Sequence, residues 1–103
     1  MFNAVTPPDL GGHSILIVDS AVNRFVGDLQ GAIENAGAES LVVRSPEAAM
    51  ERIKQFTFSA AVINAAYGSL ADQLEVPCLV YGTDAPAARP EAIVVALARL
   101  LAV

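Results

Sequence analysis

Asp19 and Ser20 close the apolar run Ser14-Ile15-Leu16-Ile17-Val18, and Asn64 closes a second run that ends Ala60-Ala61-Val62-Ile63. A carboxylate, a hydroxyl and a carboxamide at strand ends are groups from which a metal or anion pocket can be built. Ligands of an open α/β sheet gather outside the carboxyl ends of its parallel strands, so these residues stand where chemistry is expected. One carboxylate, however, is a poor magnesium site, because that ion wants several hard oxygens in near-octahedral array. The competing reading is preferred: neutral and singly charged groups that satisfy one another by hydrogen bonding. Elsewhere the chain offers no activated nucleophile, no base and no Gly-rich phosphate loop, so no enzyme activity, metal or cofactor is expected. His13, the single histidine, follows Gly11-Gly12 and reads as a solvated residue without a role. Cys78 lies in Val76-Pro77-Cys78-Leu79-Val80-Tyr81 with no second cysteine to pair with, and reads as a core thiol.

The chain that must position these groups has 103 residues, enough for one domain with one core. With 54% apolar and 17% charged residues, it carries more apolar surface than a lone domain of this size readily buries, which points to a partner. A net charge of -5, with its six basic residues scattered, gives no stripe for a phosphate backbone, so nucleic-acid binding is disfavoured. No apolar run is long enough to span a membrane, and the first residues lack a signal peptide's basic start and apolar core, so no membrane association and a cytoplasmic location are expected.

Residues 1–12, with Pro7-Pro8 and Gly11-Gly12, have no periodic pattern and are expected to form a flexible leader to a domain spanning 13–103. After the first strand, Val22, Phe25, Val26, Leu29 and Ile33 recur at helical spacing until Gly37. Leu41 to Val43 makes a short strand, and Ser45-Pro46-Glu47 opens a helix that runs to about Gln55: a hydroxyl cap, proline in the first turn, then an early carboxylate. Phe58 to Ile63 is a third strand, Tyr67 to Leu74 a short helix and Cys78 to Tyr81 a fourth strand. Gly82-Thr83-Asp84-Ala85-Pro86 is turn chemistry, and Pro90-Glu91 starts a last helix with Ile93, Val94, Leu97, Leu100 and Leu101 in one stripe. Strands alternating with helices, the strands continuous in their apolar character, predict an α/β fold: a parallel sheet covered by helices on both faces.

From Ser14 to Leu101 this pattern resembles the receiver domain of two-component response regulators. Ile15-Leu16-Ile17-Val18-Asp19, Asn23-Arg24, Leu29, Ile33 and Ala36-Gly37 follow the spacing of a receiver's first strand and helix. Ser45-Pro46-Glu47-Ala48-Ala49, Phe58 to Ile63 and Val76 to Val80 match its second helix, third strand and fourth strand. The resemblance implies a flavodoxin-like sheet of order 2-1-3-4, with the last helix beside the first and the others opposite. The family's fourth helix and fifth strand would be reduced or absent, since too few residues lie between Gly82 and Arg89.

A working receiver ends its first strand in acidic magnesium ligands and its third in the aspartate that accepts phosphate. Here those positions fall on Asp19-Ser20, one carboxylate short, and on Asn64, whose amide forms no acyl phosphate. The family's switch hydroxyl falls on Gly82, with Thr83 beside it, and its lysine on Arg89, which keeps the charge but not the compact geometry. The resemblance therefore implies a non-phosphorylatable signalling module acting by protein-protein contact, its partner a histidine kinase, a phosphotransfer protein or a second copy. Val22, Arg24 and Phe25 on the first helix would dock the kinase, and Val80 and Tyr81 on the bared edge of the fourth strand would meet the other partner. The alternative is a ligand-sensing domain that takes a small anion or nucleotide, with Arg44 or Arg89 as contacts.

Overall fold

The computed structural model describes residues 9–20, 24–82 and 89–102. Four parallel strands, β1 (Ser14–Val18), β2 (Glu39–Val43), β3 (Ala60–Asn64) and β4 (Cys78–Tyr81), form one sheet in the order β2-β1-β3-β4. Three α-helices, α1 (Arg24–Asn35), α2 (Pro46–Gln55) and α3 (Pro90–Leu101), and a 3₁₀ segment, Ala65–Asp72, surround it. This is the helix-covered parallel sheet expected from the alternation, in the flavodoxin-like order that the resemblance implied. No described helix is long and apolar enough to cross a membrane.

Ile15, Leu16, Ile17 and Val18 are all fully buried, because β1 is central and helices cover both faces. Ile15 and Ile17 pack with Leu29 and Ile33 of α1 and with Ile93, Val94 and Leu97 of α3. Leu16 and Val18 pack on the other side with Ala49 of α2 and with Leu70 and Leu74 in and after the 3₁₀ segment. The last helix thus lies beside the first, as anticipated.

Local chemistry sets the boundaries. Ser45 caps α2, its Oγ accepting from the Ala48 N–H at 3.1 Å, with Pro46 in the first turn. Helix α1 stops at Gly37, whose φ of 101° favours glycine, and a Cβ there would sit 3.1 Å from the Gly11 Cα. β2 starts two residues earlier than its apolar run, because pairing of Ser14 with Glu39 draws Glu39 and Ser40 into the ladder. β3 starts at Ala60 rather than Phe58. The helix expected over Tyr67 to Leu74 is instead the 3₁₀ segment, which begins earlier and is kinked at Tyr67.

The leader expectation changes at its end. Leu10 is fully buried in the α1–α3 core, and its N–H donates to the Ala36 carbonyl at 2.7 Å. Burying a leucine contributes about 2 kcal/mol toward holding this end of the segment against the domain. Residues 1–8 lie outside the described residues. His13 is half-buried rather than solvated: its Nδ1 and the Ser59 Oγ share a hydrogen bond of 2.8 Å that ties the entrance of β1 to that of β3. Leu100, expected in the core stripe, is 37% exposed, since its position on α3 turns it toward the flank.

Candidate functional site

The order β2-β1-β3-β4 reverses direction between β1 and β3, and a crevice is expected outside their carboxyl ends. Asp19 and Asn64 stand at those ends, and both are buried. Asn64 pairs in register with Tyr81, and Val18 with Ile63, so Asp19, Asn64 and Tyr81 form a row across three adjacent strands. Alternation along each strand turns all three toward the α1–α3 side.

Their side chains are joined. The Tyr81 hydroxyl donates to Asp19 Oδ2 at 2.5 Å, and Asn64 Nδ2 donates to the same oxygen at 3.2 Å. Asn64 Oδ1 in turn accepts from the Ala66 N–H at 2.8 Å, which caps the 3₁₀ segment. The Asp19 N–H donates to the Val43 carbonyl at 3.0 Å and so extends the β1–β2 ladder to the site. Phe25 of α1 lies over the Tyr81 ring, with centroids 5.4 Å apart. Burial pushes the Tyr81 hydroxyl far above the usual tyrosine range; its hydrogen bond to Asp19 and the charge of Asp19 add to this, while Asn64 opposes it. The hydroxyl is therefore a fixed donor at any ordinary pH.

This corrects the reading of β4. Tyr81, expected on a partner-facing edge, is 6% exposed and belongs to the polar cluster and the α1–α3 core. Val80, the next residue back, points to the opposite face and is 45% exposed. Phe25, also expected to face a partner, is half-buried against Tyr81, whereas Arg24 projects into solvent and its contact with Asp28 is a loose 4.0 Å. Ser20, Arg44 and Arg89 are exposed, and Gly82 is half-buried beyond Tyr81. Val22 and Thr83 lie outside the described residues. Arg89 is the N-cap of α3 without a capping hydrogen bond, where a cation gains nothing from the helix dipole.

Sequence reasoning therefore found Asp19 and Asn64 but missed the tyrosine that joins them. The signal is in the sequence: Tyr81 is two residues after Leu79 on the fourth strand, and level with Asn64 once β3 and β4 are aligned. Cys78, expected in the core, is half-buried; its thiol donates to the Val76 carbonyl at 3.2 Å, and burial raises its pKa. Among the described residues, no group of three or more His, Cys, Asp or Glu side chains is placed to hold a metal ion. Two shallow grooves, of about 490 and 400 Å³, lie at the amino ends of the strands around Phe56, Thr57 and Phe58, away from the Asp19 cluster.

Chemically, the cluster uses the carboxylate as an acceptor for the chain's own hydroxyl and amide. Such a network stiffens the sheet end. No protein-family model, no curated protein and no solved structure matches this chain.

Proposed function

We propose that this chain is a receiver-like signalling module that is not phosphorylated and acts in the cytoplasm by binding another protein: a histidine kinase, a phosphotransfer protein or a second copy of itself. The observation that carries this reading is the Tyr81–Asp19–Asn64 cluster. At the carboxyl end of the sheet, where a receiver handles phosphate, the acceptor position holds an amide, and that amide is committed at both ends, to Asp19 and to the Ala66 N–H. What remains to such a domain is recognition. Arg24, 94% exposed in its side chain and weakly tied to Asp28, is free to exchange that contact for an acidic partner.

Incubation with acetyl phosphate, or with a phosphorylated kinase from the host, should leave the intact mass of the chain unchanged. Asn64→Asp alone should not restore rapid labelling, because Ser20 and Gly82 supply neither a second metal ligand nor a switch hydroxyl. Titration of the kinase or phosphotransfer domain with fluorescent chain should show saturable binding that Arg24→Glu weakens. An acyl phosphate on the unmodified chain would overturn the proposal.

A further inference from the structure

Helix α3 is amphipathic in an uneven way. Ile93, Val94 and Leu97 face the core, and at 100° per residue the opposite side carries Glu91, Ala92, Val95 and Arg99, all exposed. Val95 is 38% exposed at the middle of that side. A solvated helix face is ordinarily polar along its length. This one is apolar at its centre and carries one acid near its start and one base near its end. The two charges are eight positions apart, about 12 Å along the axis, too far to pair with each other. Among the described residues, neither Glu91 nor Arg99 is ion-paired.

Glu91 and Arg99 are each four residues from Val95, on opposite sides. A face with that symmetry is its own complement. We infer that α3 is the seam of a two-fold homodimer. A second copy lays its α3 antiparallel across this face, Val95 against Val95, so that Glu91 of each copy meets Arg99 of the other. An isologous contact requires this kind of self-complementarity, in which a patch and its rotated image attract. Ala92 is small enough to let the helix axes approach to the usual 8–10 Å. A seam one helix wide buries less than about 1,200 Å² in total, which puts it among transient associations, with a dissociation constant on the order of tens to hundreds of micromolar.

The same two charges also suit the macrodipole of α3, with Glu91 in the first turn and Arg99 in the last. That explanation makes them matter for helix stability alone, and a charge swap separates the two. The full chain is examined by sedimentation velocity over a concentration series reaching about 1 mM, with folding of every variant confirmed by circular dichroism. Glu91→Arg and Arg99→Glu should each weaken dimerisation by roughly tenfold, since each turns two attractions into two repulsions. The double swap should restore it, although both charges then oppose the dipole. Val95→Glu should leave only monomer, and Val80→Lys on the β4 edge should change nothing. A wild-type chain that stays monomeric throughout, single reversals without effect, a double swap that fails to restore the dimer, or a dimer lost with Val80→Lys would each overturn the seam. The inference deepens the interaction-module reading by naming one partner. Its failure is distinct from failure of that reading, because kinase binding is titrated separately and none of these variants alters α1.

Discussion

Tyr81→Phe is expected to cost about 1.5–3 kcal/mol of folding stability, a large share for a domain of this size. The ring stays, so its packing on Phe25 is retained, and what is lost is one hydroxyl. That hydroxyl donates to a buried carboxylate, and hydrogen bonds to charged groups lie at the upper end of the usual range. A melting temperature lower by roughly 6 °C or more should follow, at about 4–8 °C per kcal/mol for a chain of about 100 residues. The alkaline limb of the stability curve should change as well. Tyr81 ionises far less readily when folded than when unfolded, so below pH 10 both states keep the proton and its contribution is fully present. Above pH 10 the unfolded chain releases the proton first, and stability should fall by about 1.4 kcal/mol per pH unit on account of this group. Tyr81→Phe should make that decline shallower. Urea titrations at pH 7 and across pH 9–11 provide the check. Equal stability of the two chains, or identical alkaline slopes, would show that the hydroxyl is not part of a stabilising network.

The frame of the fold was legible because burial on both sides leaves an unmistakable trace: Ile15 to Val18 and Ala60 to Ile63 have no polar residue to alternate with. Helix α2 announced itself through Ser45-Pro46-Glu47, whose cap, proline and carboxylate act locally and need no tertiary help. Pairing was harder to read. Glu39 and Ser40 have little strand character alone and enter β2 because β1 lies beside them. Tertiary context likewise decided Leu10, whose neighbours Gly11 and Gly12 suggested a leader, and His13, whose partner Ser59 is 46 residues away. In the candidate site the strand-end residues could be found one strand at a time. The link from Tyr81 to Asp19 spans 62 positions and depends on the register of three strands together.

Replacing Gly27 and Gly31 together by alanine should stabilise the chain by about 2 kcal/mol, near 1 kcal/mol for each site. Both glycines lie inside α1, one turn apart and exposed, and a Cβ added at either meets nothing within 4 Å. Alanine there lowers the entropy of the unfolded chain and favours the helix without a clash. α1 has no acidic residue in its first turn and no basic residue in its last, so dipole complementarity offers it little compensation. A rise in melting temperature of roughly 8 °C or more is expected. The same variant bears on recognition. If a kinase or phosphotransfer helix docks on α1 beside Arg24, the two glycines admit its backbone close to this helix, and two methyl groups would hold it off. The double variant should then melt higher and bind the partner more weakly, by about tenfold, whereas substitutions on α3 should leave that binding alone. A stabilised variant with unchanged partner affinity would move docking away from this face. A variant that gains no stability would mean that something other than helix propensity governs these two positions.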